Sequence, residues 1–420
     1  MKIGMLGLGT VGGGVAQILE SPSGRSPLLP EIKLSRVAVR DLAKSRNVCL
    51  PQGIFTTQPE EVIDDPKIAL VVEVMGGIEP ARTLVLKAIE RGKHIVTANK
   101  SLIAAHGSEI FALAKDKGVC IAFEAAVAGG IPIIQCLKQS LGANRLRAIT
   151  GIVNGTTNYI LAQMSREGVD FEPALKEAIE KGFAEANPSA DIDGIDAAEK
   201  LAILTLIGWN LKIDCPQIFT QGIRSIKQRD IEYAKRLNYT IKLLATARIE
   251  EKNSLCLHVQ PHLVANSHPL ASVNDAFNAI FLEGEPVGSL MLYGKGAGAG
   301  ATASAVVSDI LNIVGNSSAF PVLPTTSFQS ATCSQEAHSH FYLRLLTDNS
   351  PTAAGGITWS LGMFNVVPLS VQQNLTQEGL LEIVIVTQSV FRSTLDNAIR
   401  SIVGLPYFKE VANILPILEA

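Results

Sequence analysis

Short apolar runs and amphipathic segments alternate through the first 130 residues. The apolar run 3–6 ends in a glycine-rich turn, and the next segment has apolar residues three and four apart at Val15, Ile18 and Leu19, which is the period of a helix facing a core. Segment 81–92 shows the same helical period. Further strands are predicted at residues 34–41, 69–77, 94–100 and 118–130. This βαβ rhythm predicts a parallel sheet covered by helices, an α/β fold.

The middle and the end of the chain depart from that rhythm. Residues 151–161 are an apolar strand followed by small polar residues, which suit a turn and a helix start. Residues 182–204 are an acidic loop leading into a helix that is apolar on every side. From residue 340 the order is strand, helix, strand, strand, helix, and residues 411–420 would add a strand. The last part is therefore predicted as a separate βαββαβ domain.

Composition and charge narrow the class of protein. The chain has 420 residues, of which 47 % are hydrophobic and 18 % charged, enough for two or three folded domains. A net charge of −3 gives no electrostatic reason to bind nucleic acid. The six cysteines lack metal or redox spacing and are typical of a reducing, cytoplasmic compartment. The most apolar window, 120–137, contains Glu124 and Pro132, which argues against a membrane span.

Three glycines of the first turn form a GxGxxG fingerprint between a strand and a helix. Gly7 permits a tight turn, Gly9 lets the backbone approach a pyrophosphate, and Gly12 lets the helix pack close to the strand. The helix start at Thr10 and Val11 offers free N–H groups to phosphates. The sequence therefore predicts a Rossmann dinucleotide-binding domain. The alternative is a glycine turn with a purely structural role.

Arg40 and Asp41 end the second predicted strand, where Rossmann domains contact the adenosine ribose. An acidic residue there favours NAD, whereas arginine accommodates the 2′-phosphate of NADP. Arg40 comes first and its planar guanidinium suits a phosphate, so NADP(H) is predicted to be preferred over NAD(H). Alternatively, Arg40 is solvated and Asp41 begins a helix. Lys100, at the end of a later strand, either reaches cofactor or substrate or simply points to solvent.

Acidic residues and a lysine gather around the start of the later helix. Asp196 and Lys200 are four residues apart, so on a helix they share one face. They form either an ordinary ion pair or part of an active site. Glu185 and Asp191 precede them, and these carboxylates either complement the helix dipole or bind a substrate ammonium. Thr156, in the small polar cluster, is a candidate contact for a polar substrate.

Taken together, these motifs resemble those of homoserine dehydrogenases. The resemblance rests on "GLGTVGGGV", "VAVRD", "TANK", "EAAVAGGIPII", "NGTTNYIL", "GFAEANPSADIDGIDAAEKLAIL" and "GKGAGAGATASAVVSD", which occur in the family's order. That family reversibly reduces L-aspartate 4-semialdehyde to L-homoserine with NADPH or NADH, in threonine, methionine and isoleucine biosynthesis. The resemblance implies a Rossmann domain over 1–130 with a returning helix near 300–316, an α+β substrate-binding and dimerisation domain over 131–300, a linker over 317–335 and a regulatory domain over 338–420.

The resemblance also assigns catalytic roles. Lys200 would be the general acid/base on the substrate's C4 oxygen, and Asp196 would position substrate or water beside it. Glu185 would bind the substrate's ammonium group, and Lys100 would lie between cofactor and substrate. Aldehyde reduction does require a proton donor. Burial by the apolar helix and the charge of Asp196 would act on the protonation of Lys200 in opposite directions.

The same resemblance implies ligands for a monovalent cation (Na⁺ or K⁺), largely through carbonyl oxygens. These ligands are Glu124, Val127, Gly129 and Ile131. It further implies cofactor contacts at Gly182, Gly296 and Gly298.

The C-terminal βαββαβ segment resembles an ACT domain, a module that senses amino acids. Its ligand-binding turn departs from the family pattern, because Thr352 stands in "DNSPTAAGG" where glycine is expected. A side chain there hinders close backbone approach to an effector, so threonine binding and a purely dimerising role both stay open. A monofunctional homodimer or homotetramer is expected, since the first strand begins at Lys2. Alternatives are a Rossmann oxidoreductase acting on another small amino acid, or an inactive NADPH or amino-acid sensor.

Overall fold

The structure of the protein is a computed structural model that describes residues 1–250, 254–315, 329–330, 333–334 and 338–419. The chain forms two compact units. The first contains residues 1–146, 199–217 and 278–331, and the second contains 147–198, 218–277 and 332–420. The proline-rich part of the predicted linker, 317–328, lies outside the described residues. Among the helices that are described, none has the length and apolar content needed to cross a membrane.

A six-stranded parallel sheet forms the centre of the first unit. In chain order its strands are Lys2–Leu6, Lys33–Ala38, Phe55–Thr56, Leu70–Glu73, His94–Thr97 and Ile121–Ala122. Their spatial order is third, second, first, fourth, fifth, sixth, which is the Rossmann order and confirms the predicted α/β fold. Val71, Val72, Ile95 and Val96 are fully buried. Both faces of these strands are covered, which explains why the sequence shows them as unbroken apolar runs.

Helices pack on this sheet. Those of the first unit are Thr10–Glu20, Glu60–Ile63, Ala81–Glu90, Lys100–Lys117, Ile133–Gln135, Ala299–Gly315 and the part of Ile195–Trp209 from residue 199 onward. Helix Ala299–Gly315 packs so closely on helix Thr10–Glu20 that a Cβ atom on Gly14 would lie 2.8 Å from that of Ala303. It contributes Val306, Ile310 and Ile313 to the core of the sheet. The remaining strands of this unit are Leu211–Lys212, Phe277–Glu285, Gly288–Lys295 and Gln329–Ser330.

One predicted strand is wrong over most of its length. The segment 118–130 is a strand only at Ile121–Ala122 and continues into a 3₁₀ helix at Glu124–Ala126. Ala128 and Gly129 then adopt left-handed conformations with φ of 55° and 51°. A left-handed residue cannot continue a strand. The apolar run is therefore a buried turn.

A mixed sheet forms the centre of the second unit. Of the twelve strands of this sheet, ten lie wholly or mostly in this unit: Arg145–Ile152, Phe219–Thr220, Tyr239–Ile249, Leu255–Ala265, Cys333–Ser334, His338–Thr347, Pro368–Leu375, Leu381–Thr387, Val390–Phe391 and Phe408–Leu418. Its helices are Gly155–Glu167, Phe171–Glu180, Ser189–Ile192, Gln228–Arg236, Ala353–Met363 and Arg392–Val403, and Ile195–Trp209 begins in this unit. The two long strands Tyr239–Ile249 and Leu255–Ala265 form an antiparallel hairpin.

The end of the chain has the predicted βαββαβ order. Its four long strands, from His338–Thr347 to Phe408–Leu418, are antiparallel and lie in the order fourth, first, third, second. This is the ferredoxin-like arrangement. The two helices bury Ile357 and Leu395 against the sheet residues Leu343 and Ile383.

A buried ionic network holds this last segment within the second unit. Arg344 donates hydrogen bonds to both carboxylate oxygens of Asp230, at 2.7 and 3.1 Å, and to Glu382 at 3.2 Å. Tyr233 and Arg229 also donate to Glu382, at 2.5 and 2.9 Å. Burial alone would raise the pKa of Glu382, but the hydrogen bonds from Tyr233 and Arg229 hold this pKa below its usual value.

Candidate active site

The glycine fingerprint lies at the carboxyl end of the first strand. Gly7 has φ of +99°, and a Cβ atom there would lie 2.8 Å from the carbonyl oxygen of Val74. A Cβ atom on Gly12 would lie 2.7 Å from the carbonyl oxygen of Gly7. By contrast, no described atom lies within 4 Å of the Cβ position of Gly9, which precedes the helix starting at Thr10 without a side-chain cap. The turn thus leaves room for a phosphate at a helix N-terminus.

A cavity of about 630 Å³ opens beside this turn. Its lining includes Gly7, Gly9, Arg40, Asp41, Lys44 and Arg46. The Asp41 carboxylate accepts a hydrogen bond from the Ala43 N–H at 2.8 Å, and no helix follows it, so the alternative in which Asp41 begins a helix is wrong. Lys44 and Arg46 were missed from the sequence, because nothing in the motif marks them. Together with Arg40 they bring three cationic side chains to the cavity.

Lys100 begins the helix after the fifth strand of the parallel sheet. Asn99 caps this helix by accepting a hydrogen bond from the Leu102 N–H at 3.1 Å. The Lys100 ammonium lies 2.9 Å from the carboxylate of Glu199, and both side chains are half-buried. The lysine is therefore held by an ion pair at the edge of the sheet where a Rossmann domain binds its ligand. Sequence reasoning missed Glu199 as its partner.

Asn154 joins two carboxylates in the second unit. Its Nδ2 donates to Asp191 at 2.6 Å and to Asp196 at 2.9 Å, while its Oδ1 caps the following helix. The Thr156 hydroxyl lies 3.1 Å from the second oxygen of Asp191. Three polar residues named from the sequence therefore meet Asn154 in one hydrogen-bonded group, which we call the Asn154 cluster: Asn154, Thr156, Asp191 and Asp196.

Gly182 and Glu185 lie in the turn after helix Phe171–Glu180, and both are exposed. Phe183, between them, packs on Tyr159 with ring centres 4.4 Å apart, which anchors the turn. In the part of the second unit that the structure describes, Glu185 makes no hydrogen bond to the Asn154 cluster. Its carboxylate remains accessible from solvent.

Helix Ile195–Trp209 carries Asp196 and Lys200 one turn apart. Lys200 is half-buried, whereas Leu201 and Leu204 after it are completely buried. The lysine therefore stands at the polar end of an apolar helix.

The glycines expected near residue 297 make close contacts within the first unit. A Cβ atom on Gly129 would lie 2.4 Å from the carbonyl oxygen of Gly296, so the two turns pack backbone against backbone. A Cβ atom on Gly296 would lie 1.9 Å from Nδ2 of Asn278. Gly298 has φ of +109°, with no described atom near its Cβ position. Only glycine fits at positions 129 and 296, whereas position 298 faces open space.

The segment implied as a cation site is a buried turn. Glu124 and Ile131 are 4 % and 2 % exposed, and Val127 is fully buried. The Glu124 carboxylate accepts hydrogen bonds from the Ile134 and Gln135 N–H groups at 2.7 and 2.8 Å, so it caps a helix. Within the turn, the carbonyl oxygens of Glu124 and Ile131 accept hydrogen bonds from the N–H groups of Val127 and Ile133, at 3.3 and 2.8 Å. In the described chain no group of three His, Cys, Asp or Glu side chains is placed to hold a metal.

The ionisable side chains around this turn are buried, which disfavours their charged forms. Burial raises the pKa of Asp309 to about 8 and lowers the pKa of Lys138 to about 8. Burial likewise raises the pKa of Glu124, against the opposing effect of its backbone hydrogen bonds. Oδ1 of Asn278, beside Gly296, is buried and has no hydrogen-bond partner among the described residues. A buried oxygen without a partner is a candidate ligand for a cation.

The Rossmann strand order, the glycine fingerprint and the cationic cavity beside it define a protein of the dinucleotide-binding class. Residues 7–124 match the family model of the homoserine dehydrogenase NAD-binding domain, and residues 132–311 match that of homoserine dehydrogenase. The chain belongs to the homoserine dehydrogenase family, whose members are NAD(P)-dependent oxidoreductases.

Individual relatives agree with this assignment. The homoserine dehydrogenase of Synechocystis sp. is 47 % identical over 431 residues, covering 100 % of both chains. The crystal structure of a homoserine dehydrogenase from Thiobacillus denitrificans has a TM-score of 0.91 at 39 % identity, covering 100 % of this chain and 98 % of that one. A hyperthermophilic archaeal homoserine dehydrogenase in complex with NADPH has a TM-score of 0.63 at 28 % identity, covering 77 % of this chain and 99 % of that one.

Proposed function

We propose that this protein reversibly reduces L-aspartate 4-semialdehyde to L-homoserine with a nicotinamide cofactor, in threonine, methionine and isoleucine biosynthesis. The observation that carries this proposal is the Asn154 cluster. It fixes Asp191 and Asp196 with short hydrogen bonds, and a preorganised carboxylate is what the ammonium group of an amino-acid substrate requires. Membership of the family supports the same reaction.

Reduction of the aldehyde requires a hydride at C4 and a proton at the attached oxygen. The nicotinamide supplies the hydride when it is bound. Lys200 is the proposed general acid, because its ammonium stands at the polar end of an apolar helix and can neutralise a developing alkoxide. Asp196 is proposed to orient substrate or water, and Lys100 to contact both cofactor and substrate. In the reverse direction Lys200 accepts the proton from the alcohol.

Substrate binding is assigned to the remaining acidic and hydroxyl groups. Glu185 is proposed to bind the ammonium group, and its exposure leaves it accessible to an incoming substrate. Asp191 and Thr156 are proposed to complete the polar surroundings of that group, since they already share a hydrogen bond.

The cofactor is proposed to be NADP(H) in preference to NAD(H). Arg40 follows the second strand and lines the cavity together with Lys44 and Arg46, and three cations favour an additional phosphate over a bare ribose. Further contacts are proposed at Gly182, Gly296 and Gly298.

Three accessory proposals accompany this function. The carbonyl oxygens of the turn from Glu124 to Ile131 are proposed to bind Na⁺ or K⁺. The C-terminal βαββαβ segment is proposed to be an ACT-like domain over 338–420. Its two candidate roles are threonine binding, which the Thr352 side chain in the ligand-binding turn would hinder, and pure dimerisation. The enzyme is proposed to be a cytoplasmic homodimer or homotetramer.

The deciding experiment measures NADPH oxidation with L-aspartate 4-semialdehyde in the parent protein and in Lys200→Ala. We expect turnover in the parent and a loss of at least about 10²-fold in the variant, the usual scale for a general acid, with nearly unchanged NADPH affinity. Lys212→Ala, which removes an exposed lysine of the same unit, serves as control. A parent that binds NADPH without turnover would instead support the sensor alternative, and near-normal turnover in Lys200→Ala would refute the role of this lysine.

Arg40→Ala tests the choice of cofactor. We expect NADPH to bind at least about 10-fold more weakly, as loss of a charge-assisted contact of 1.5–3 kcal/mol implies, while NADH binding changes little. Fluorescence titration with each cofactor measures both constants. Equal losses for the two cofactors would contradict a contact with the 2′-phosphate.

A further inference from the structure

A second cavity, of about 350 Å³, lies against the sheet of the second unit. No member of the Asn154 cluster lines it. Alternate residues of one strand do line it: Cys256, His258, Gln260 and His262. Side chains two positions apart in a strand point to the same face, so these four form one row. The proposed reaction uses none of them.

The two histidines of this row approach each other through their Nε2 atoms. These nitrogens are 3.3 Å apart, and the ring centres are 5.2 Å apart. Two imidazoles bound to one tetrahedral zinc ion at about 2.0–2.1 Å would have their nitrogens about 3.3 Å apart and their ring centres about 5.2 Å apart. Both separations therefore match those of a shared metal ion.

The Nδ1 atoms of the two rings, on the side away from this contact, also have neighbours that orient them. Nδ1 of His262 lies 2.9 Å from the carbonyl oxygen of Gln260, which places a proton on Nδ1 and directs the Nε2 lone pair towards Nε2 of His258. Nδ1 of His258 faces the sulfur of Cys256 at 3.9 Å. Metal-binding histidines characteristically donate their second N–H to a backbone carbonyl or a similar acceptor.

Gln260 lies between the two histidines along the strand. Gln260 is 5 % exposed, and its Oε1 is buried without a hydrogen-bond partner among the residues that the structure describes. A buried amide oxygen without a partner destabilises the fold unless a ligand satisfies it. Gln260 shares the strand face of both histidines and lines the same cavity.

We propose that His258, His262 and Gln260 form a binding site for a divalent transition-metal ion such as Zn²⁺, with the remaining coordination position open to the cavity. Imidazole nitrogen suits zinc, copper and nickel, whereas magnesium and calcium prefer oxygen-only sites. The site does not depend on the proposed dehydrogenase activity.

Zinc titration of the full chain tests this site. The protein is first treated with a chelator and then titrated with Zn²⁺ alone in a calorimeter. We expect one ion per chain in the parent, and binding at least about 10-fold weaker in His258→Gln and in His262→Gln, since losing even an outer-shell partner costs 10–100-fold. His340→Gln is the matched control, because His340 also contacts a backbone carbonyl through Nδ1, that of Thr387, but lies outside the cavity.

A second measurement needs no variant, in case the histidine substitutions unfold the protein. The electron paramagnetic resonance spectrum of the Cu²⁺-loaded parent should show coupling to two nitrogen nuclei. The absorption spectrum of the Co²⁺ form should show tetrahedral ligation without a thiolate charge-transfer band. Absence of a stoichiometric site, a strong thiolate band, or unchanged zinc binding in both folded variants would overturn the proposal.

Discussion

Two groups of carboxylates lie in the second unit, and they are held in different ways. Asp230 and Glu382 are 0 % and 1 % exposed, and Arg344 donates hydrogen bonds to both. Asp191 is half-buried and accepts hydrogen bonds from Asn154 and Thr156, which are uncharged. The first group contains its own countercharge. The hydrogen bonds to Asp191 fix its position without cancelling its charge.

This difference separates a structural role from a binding role. A buried carboxylate needs an internal cation, because an uncompensated charge in the interior is very costly. A carboxylate that neutral donors orient at a partly open position keeps its field for a ligand. The comparison is therefore the physical basis for the proposal that Asp191 contacts the substrate's ammonium group, and for assigning the Arg344 network to stability.

Arg344→Met should have the largest effect and should act on stability alone. It leaves Asp230 and Glu382 buried without their shared cation, and breaking such a pair costs about 3–5 kcal/mol. Urea denaturation monitored by circular dichroism measures the loss. The native fraction should keep the parent's KM for L-homoserine. If the variant were as stable as the parent, or if its KM were raised, the Arg344 network would not have a purely structural role.

Asp191→Asn should act in the opposite way. We expect the KM for L-homoserine to rise about 10–100-fold, the equivalent of one charge-assisted hydrogen bond, while NADPH affinity and the urea midpoint stay close to those of the parent. Asp193→Asn is the matched control, because Asp193 lies two residues away in an accessible ion pair with Arg224, and such pairs contribute about 0–1 kcal/mol. If both variants raise KM equally, local disturbance rather than a specific contact is responsible.

The smallest expected effect concerns the pH dependence of stability. Glu382 has a folded-state pKa below its usual value, so its contribution is fully present above the usual glutamate range and is lost as pH falls through the lowered pKa. Between about pH 5 and pH 3 the unfolding free energy of the parent should therefore decline more steeply than that of Glu382→Gln. Urea titrations at several pH values provide both slopes. Parallel slopes would show that this carboxylate is not linked to stability.

The features that could be predicted from the sequence are those that depend on residues only a few positions apart in the chain. Gly7, Gly9 and Gly12 lie within six residues, and each is required by backbone geometry that spacing alone reveals. The long buried strands of the Rossmann sheet were found because they have few polar positions. Phe55–Thr56 was missed because two residues cannot show a period.

Features that depend on distant contacts could not be predicted in this way. Asn154 and Asp191 are 37 residues apart, and Arg344 and Asp230 are 114 apart, so no local pattern connects them. The resemblance to a family pointed to Asp196 and Lys200 individually but not to the amide that joins two carboxylates. The turn at 124–130 was predicted as a strand because a buried turn and a buried strand share the same apolar composition, and an alanine gives no sign of a positive φ at residue 128.

Helix Ala299–Gly315 has a consequence for the synthesis of the protein. The parallel sheet is complete at Ala122, but the helix that covers Gly14 is made about 180 residues later. At roughly 5–20 residues per second, a ribosome needs about 10–35 s to make the intervening chain. Throughout that interval the apolar surface that this helix covers stays open in the nascent amino-terminal part, and a chain terminated before residue 299 is expected to aggregate.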